Sequence, residues 1–376
     1  MKIAIAPNSF KNSLDAFQVA KAIELGLKKS KLSTSCMLLP IADGGDHTLE
    51  VFHHWLGGTL RTTKVSGPLG KATDAQWLMI DKDKTAVIEM AKASGIHLVP
   101  EEDLNPAKAS TFGTGELIVN ALDEGAKRII LGIGGSATVD GGLGILQALG
   151  AILTDKKGNV LPTEGNALLQ VAAMSLPHLH NNLAGTEFVV LCDVENPLMG
   201  ENGAAMMFGP QKGASPAQVQ QLEVAMGRYN ELIKKKTGND GSMMPGAGAA
   251  GGIGFSLKAF FNTRLLSGVE FLLSAMGFEE KVMQADLLIT AEGKVDKQTL
   301  QGKGPMGVAV LAGKHKIPCI MLAGKVDDVE RLNTEFHAVF PITNGPNTLD
   351  KLMQTTRDDL VQTSMQIGNL LALSGL

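Results

Sequence analysis

The chain is predicted to be an α/β protein, with a discontinuous flavodoxin-like parallel-sheet domain and a second mixed α/β domain inserted into it. Three observations predict this. Short apolar runs alternate with amphipathic runs over much of the sequence, the rhythm of strand–helix crossovers. Between residues 59 and 90 the rhythm breaks into three closely spaced strand-like runs, a meander. It then returns late, so two strands at the start and three near the end make five, the count of a flavodoxin-like sheet. The expected bounds are 1–64 with 285–376 for the discontinuous domain and 65–284 for the insert. Two sequential domains split near residue 180 are the competing organisation.

Residues 3–7 form the first strand. A helix follows over 14–29, with Ser13 as its N-cap and Phe17, Ala20, Ile23 and Leu27 on one face. Residues 36–41 are a strand and 47–56 a helix. The meander takes 59–65, 76–80 and 85–90, joined by Gly-Pro and Asp-Lys turns. Then come a helix over 116–124, a strand over 128–133, a helix over 142–149 and a strand over 188–193. Ser215-Pro216 opens a helix to about residue 236, with Ser as N-cap and Pro at the first helical position. A glycine- and alanine-rich loop spans 245–254. The crossover rhythm resumes with strands at 287–290, 319–323 and 338–342 and helices at 299–314 and 349–373. Loops at the carboxyl ends of the five strands are expected to face the insert across a cleft.

The formal net charge is -4 and no basic stripe occurs, which argues against a nucleic-acid partner. Lys28-Lys29 and Lys234-Lys235-Lys236 end predicted helices, where cations complement the dipole. The three cysteines form no C-x-x-C pair and lie in or beside apolar runs, so buried reduced thiols and a cytoplasmic location are expected. The opening run stopped by Pro7 is a strand, not a signal peptide. No stretch approaches the ~20 apolar residues of a membrane span, so no membrane partner is expected. The sequence has 44 glycines but one tyrosine and two tryptophans. Clustered glycine marks tight loops and close backbone approach, and scarce aromatics argue against a base-stacking or sugar-stacking surface.

The richest cluster is Gly134-Gly135-Ser136-Ala137-Thr138-Val139-Asp140-Gly141-Gly142, after a strand and before a helix. Gly132-x-Gly134-x-x-Ala137 formally fits a dinucleotide fingerprint, which keeps a dinucleotide-dependent oxidoreductase open. A turn at Lys156-Lys157-Gly158-Asn159 sits where that fold needs a second strand end, beside Asp155. A phosphate cradle of backbone N–H groups at a helix N-terminus makes fewer demands. No G-x-x-x-x-G-K-[ST] occurs, so this is not a P-loop enzyme. The histidines show no metal-ligand spacing, and no serine has a nucleophile-elbow context. Acids stand beside glycines at several strand ends: Asp43-Gly44-Gly45-Asp46, Asp193, and Glu292-Gly293-Lys294-Val295-Asp296. Lys11, Lys212, Lys294 and Lys303 lie in such loops. Phosphoryl transfer uses this mixture, with carboxylates for Mg²⁺ or the hydroxyl proton and lysines for the transferring group.

These loops resemble the type-1 glycerate kinases. The likeness is carried by Ala6-Pro7-Asn8-Ser9-Phe10-Lys11-Asn12-Ser13-Leu14, Ala42-Asp43-Gly44-Gly45, Ala93-Ser94-Gly95 with Leu98-Val99-Pro100, and Thr111-Phe112-Gly113-Thr114-Gly115-Glu116-Leu117. It continues through the 134–142 loop, Asp193 with Asn196-Pro197-Leu198, Phe208-Gly209-Pro210-Gln211-Lys212-Gly213-Ala214, the stretch from Pro245 to Gly252, and Glu292-Gly293 to Asp296 with Gln298, Gly302-Lys303 and Pro305. The matches run in order from residue 1 to about 310. The resemblance implies ATP- and Mg²⁺-dependent phosphorylation of D-glycerate, with 2-phosphoglycerate as the usual product, on a flavodoxin-like domain with an α/β insert. Under it, Asp193, Asp296, Lys11 and Lys303 are the expected catalytic residues, with Asp193 and Asp296 as Mg²⁺ ligand or base in either order. Gly134, Gly135, Ser136, Ala137, Thr138, Asp140, Glu292 and Gly293 are expected to hold ATP. Asn8, Ser9, Asp43, Gly44, Gly45 and Lys212 are expected to meet the substrate. Relatives usually carry Asp at Asn8, Gly at Asn12 and His47, Glu at Asp46, Asn at Val139 and Gly at Ala291. The Asn8 departure keeps open another small hydroxy-acid substrate or a non-catalytic sensor.

Overall fold

The computed structural model describes residues 1–42, 44–45, 47–80, 82, 84–295, 304–327 and 329–373. The chain runs through β1 (Lys2–Ile5), α1 (Ala16–Lys29), β2 (Ser35–Leu38), α2 (Thr48–Leu56), β3 (Thr59–Ser66), β4 (Ala72–Ile80), β5 (Thr85–Glu89) and α3 (Ala91–Ser94). It continues through α4 (Phe112–Asp123), β6 (Arg128–Gly132), α5 (Leu143–Ala148), β7 (Ile152–Thr154), β8 (Ala173–Ser175), β9 (Glu187–Leu191), α6 (Ala204–Phe208) and α7 (Pro216–Thr237). Next come α8 (Ile253–Phe260), β10 (Thr263–Leu266), α9 (Gly268–Ala275), α10 (Phe278–Val282) and β11 (Leu287–Val295). Last are α11 (Gly304–Lys314), β12 (Cys319–Val326), α12 (Val329–Leu332), β13 (Ala338–Pro341) and α13 (Leu349–Leu373). Two compact units result: Met1–Val51 with Gly268–Leu376, and Phe52–Ser267.

The first unit is built on a five-stranded sheet in the order β13-β12-β11-β1-β2, with every neighbouring pair parallel. Counted along the chain within this unit, the order is 2-1-3-4-5, the flavodoxin-like arrangement that the strand count predicts. Parallel strands are covered on both faces, so they read as continuous apolar runs. Ile3, Ala4 and Ile5 of β1 and Leu288 and Ile289 of β11 are fully buried accordingly. Val19, Ile23 and Leu27 of α1 pack in the same core as Ile5, Ile289, Leu360 and Ile367. Each such side chain contributes roughly 1.5–3 kcal/mol by leaving water. The N-cap of α1 is Asp15, not the expected Ser13: Asp15 and Gln18 form a reciprocal capping box. Ser13 is drawn elsewhere, its Oγ donating to the Met353 carbonyl at 2.7 Å. Of the helix expected over 299–314, residues 304–314 are helical and 299–303 lie outside the described residues.

The second unit carries a six-stranded sheet in the order β10-β9-β6-β5-β4-β3. Its β10, β9, β6 and β5 are parallel, and β5, β4 and β3 form the expected antiparallel meander. The strand at 59–66 pairs with β4 over eight positions, so it belongs to this sheet although the expected boundary at 64 assigns it to the first domain. Conversely, α9 and α10, before the expected boundary at 285, fall in the first unit. The strands β7, β8 and β10, of three or four residues, carry too little pattern to be read from sequence. Helix α4 starts at Phe112, four residues early, because its first turn is buried glycine and threonine without apolar periodicity. Trp77 is fully buried, with its ring N–H donating to Thr63 Oγ1 at 3.1 Å. Among the described residues the three cysteines are free thiols, and no helix is long and apolar enough to cross a membrane.

Helix α7 begins as its sequence predicts: Ser215 Oγ accepts from the Gln218 N–H, the Gln218 side chain accepts from the Ser215 N–H, and Pro216 opens the helix. Ser215→Ala removes this cap, so the second unit should lose about 1 kcal/mol, a fall in Tm of about 2–4 °C. Both tryptophans, Trp55 and Trp77, lie in that unit, so tryptophan fluorescence on heating reads it directly.

Candidate active site: the strand-end loops of each unit

In a parallel sheet all carboxyl ends share one edge, and their loops form the natural ligand crevice. In the first unit the strand order reverses beside β1, so the crevice is expected where the loops after β1 and β11 meet. A cavity of about 700 Å³ opens there. Five residues expected from the sequence converge on it: Asn8, Ser9 and Lys11 after β1, and Glu292 and Gly293 at the end of β11. Asn8 Oδ1 accepts the Ser9 N–H at 2.8 Å, and the Asn8 N–H donates to the Ala291 carbonyl at 2.8 Å, so this loop is tied to both its own turn and the neighbouring strand. Lys294 lies 3.7 Å and Lys325 3.2 Å from the Asp327 carboxylate at the same sheet edge. Gly44 and Gly45 follow β2, where the Gly45 carbonyl accepts from Thr48 Oγ1 at 2.7 Å. Asp43, Asp46, Asp296, Gln298, Gly302 and Lys303 lie outside the described residues.

Two of the family's usual glycines gain a physical reason here. Asn12 has φ +60° and His47 has φ +65°, both left-handed. Asn and His occur there more often than most side chains, but glycine alone adopts it with no Cβ to clash. The departure at His47 therefore stores strain.

In the second unit the same edge carries Glu89 at the end of β5, the 134–142 loop after β6, Asp193 after β9 and Ser267 after β10; the strand register aligns these ends. Ser267 Oγ donates to Asp193 Oδ1 at 2.8 Å, which fixes the half-buried carboxylate. The nearly buried Glu89 and the anchoring Ser267 were not expected from sequence. An acid closing the apolar run 85–90 was the available signal for Glu89.

The 134–142 loop differs from a solvent-facing phosphate cradle. Asp140 is fully buried, and its carboxylate accepts from the Thr111 N–H and hydroxyl at 2.8 Å each, from Gly142 N–H at 3.0 Å and from Gly144 N–H at 3.3 Å. The Gly142 and Gly144 amides, at the start of the helix after this loop, thus already hold an anion supplied by the chain itself. Desolvation pushes the Asp140 carboxyl above its ordinary range, and these hydrogen bonds oppose that shift. Ala137 and Thr138 are equally buried, which leaves Gly134 and Gly135 as the part of the loop open to solvent.

Lys212 also turns inward. It is 3% exposed, and its Nζ donates to Ser136 Oγ at 2.6 Å and to the Thr138 carbonyl at 2.7 Å. Burial pushes its amine down to about 7, against a smaller opposing pull from Asp140. These two hydrogen bonds make it a brace of the loop. Val139, another departure, is fully buried against Leu143, Leu146 and Tyr229, away from any solvent-facing surface. The 245–254 stretch packs backbone to backbone against the same loop. The Gly141 N–H donates to the Gly251 carbonyl at 2.8 Å, and a Cβ on Gly251 would stand 2.3 Å from the Thr138 carbonyl oxygen. These glycines serve protein–protein contact within the chain.

Acids, lysines and glycines at the carboxyl ends of crossover sheets, with no P-loop motif, suit phosphoryl transfer outside the P-loop group, although the fold alone does not fix it. Residues 3–372 match the sequence profile of the glycerate kinase family. A glycerate 2-kinase from Escherichia coli K12 is 44% identical over 99% of this chain and 98% of its own. A glycerate kinase from Halalkalibacterium halodurans is 42% identical over 97% of both chains. A crystal structure proposed to be glycerate kinase 2 from Salmonella typhimurium LT2 superposes with a TM-score of 0.85 at 40% identity, covering 100% of this chain and 99% of that one. The chain belongs to the glycerate kinase family and is a phosphotransferase.

Two outcomes follow from this geometry. Between pH 7 and 10.5 the unfolded chain holds a proton on Lys212 that the folded chain has lost, so this lysine makes stability rise with pH across that window. Lys212→Met should flatten that rise by a few kcal/mol at about 1.4 per unit; the difference between the two proteins in urea unfolding at several pH values isolates it. His47→Gly should relieve left-handed strain and stabilise its unit by about 1 kcal/mol, read by calorimetry.

Proposed function

We propose that the protein transfers the γ-phosphoryl group of ATP to a hydroxyl of D-glycerate, giving 2-phosphoglycerate. The convergence of Asn8, Ser9, Lys11, Glu292 and Gly293 on one cavity at the sheet's switch point carries this reading. It is supported by the names of the relatives and by the near-complete length over which the chain resembles them.

In the transfer, the substrate hydroxyl oxygen forms a bond to the γ-phosphorus as the bond to the departing ADP oxygen breaks, and the hydroxyl proton passes to a carboxylate. Asp193 and Asp296 are the candidates for that base and for the metal ligand. Ser267 holds one oxygen of Asp193 and so orients the other. Among the described residues no group of three or more acid, histidine or cysteine side chains could cage a metal. Mg²⁺ in such enzymes is bound through one or two carboxylates together with nucleotide phosphates. Asp193 is a fixed, hard oxygen donor of the required kind, and it would hold Mg²⁺, which when bound would supply charge neutralisation. Lys11, on the exposed turn after β1, and Lys303 neutralise the transferring group. The rigid 134–142 loop, held by Asp140 and Lys212, keeps its exposed Gly134–Gly135 edge in place; their amides are suited to a ligand anion.

Catalysis of this kind is positioning plus charge stabilisation, so losing one such group is costly. Asp193→Ala should lower kcat for D-glycerate-dependent ADP release by about 10²-fold or more, and Ser267→Ala by a smaller factor, with little change in KM for ATP. Near-wild-type turnover in Asp193→Ala would remove Asp193 from the mechanism. Asn8 keeps the side-chain acceptor that an Asp would offer to the Ser9 N–H, so the wild type itself is expected to turn over. Turnover only in Asn8→Asp would replace the enzyme by a sensor.

A further inference from the structure

We propose that the first unit holds the nucleoside half of ATP in the cavity beside α13, with the phosphates directed to the lysines at its floor; this placement rests on the reading of the chain as an ATP-dependent kinase. A three-carbon hydroxy acid is far too small to fill about 700 Å³, a volume in the range that takes drug-sized ligands, about 300–1,000 Å³. The lining has two ends of different chemistry. The loop after β1 brings Lys11, and the last residues of β11 and β12 bring Lys294 and Lys325. The loop after β13 and the first turns of α13 bring Pro346, Leu349, Leu352 and Met353. A ligand with a polyanionic end and a flat, weakly polar end matches both; glycerate has only the first.

Two further observations fit a flat ring system. Glycine forms part of the lining: a Cβ on Gly324 would stand 2.5 Å from the Gly293 carbonyl oxygen, so the two strands meet flush where they border the cavity. At the opposite wall Leu349 is 66% exposed, an apolar side chain with nothing of the described chain over it. Further along α13, also lining the cavity, the Asp359 carboxylate accepts from Asn344 Nδ2 at 3.0 Å and from Thr355 Oγ1 at 2.7 Å, a fixed acceptor for ribose hydroxyls entering the cavity. The second unit offers no such vessel in its glycine loop, whose helix-terminal amides are occupied by Asp140.

The test uses the full chain and two readouts. Equilibrium binding of a fluorescent ATP analogue is measured for wild type, Leu352→Trp and Leu349→Glu, the last chosen because its exposed position spares the fold. Both variants should weaken nucleotide binding by about tenfold or more, and KM for D-glycerate should stay within about twofold. Irradiation with 8-azido-ATP followed by peptide mapping should label residues 342–359. Unchanged nucleotide affinity in both variants, or labelling confined to the second unit, would overturn the placement. Because binding is read without turnover, a protein that binds ATP here and leaves glycerate unphosphorylated refutes the proposed reaction and upholds this site.

Discussion

The buried Asp140 carboxylate is the constraint on which the second unit's functional edge depends. It gathers donors from the start of α4 and the start of α5, and it stands near the inward-turned Lys212. A buried carboxylate is tolerable only when its oxygens are filled by donors, and here four are supplied. Three of them serve Oδ2 and the Gly142 N–H alone serves Oδ1, so losing that last contact would leave one buried oxygen unpaired. The loop is consequently rigid, and the glycines on both sides of it exist so that backbone can touch backbone.

The same principle runs through the first unit with the opposite result. There Gly293 of β11 and Gly324 of β12 bring the strands flush and let the Phe10 turn pack close, and a cavity lies beside them. Two glycine-rich sheet edges thus behave differently. One is sealed by the chain's own acid, and the other stays open as a cavity. The open edge is the one at which the strand order reverses, where a doubly wound sheet leaves room for a ligand.

Much of the fold was legible. Continuous apolar runs marked β1, β6, β9, β11 and β12, because strands buried on both faces need no polar alternation. Ser215-Pro216 marked a helix start because a cap and a fixed φ act locally. The three-residue β7 and β8 escaped notice because their pairing is decided by tertiary contact. Of the site, the loop after β1 and the Glu292-Gly293 pair were legible as acid, lysine and glycine at strand ends, and the structure brings them together. Asp140 and Lys212 were expected to meet ATP and the substrate, and both are buried and hydrogen-bonded within the loop. Sequence shows that a glycine permits close approach, but it does not show whether the approaching partner is a phosphate or the Thr138 carbonyl. Only the three-dimensional packing of residues 245–254 against the loop settles that.

Family membership, the cavity at the switch point and the fixed carboxylate at the end of β9 together describe a kinase that phosphorylates a small hydroxy acid. The most direct measurement is phosphorus NMR of the wild-type protein incubated with ATP, Mg²⁺ and D-glycerate. The account predicts one new phosphomonoester resonance, that of 2-phosphoglycerate, growing in step with ADP. A product phosphorylated at the other hydroxyl, or ADP formed with no phosphoglycerate at all, would contradict it.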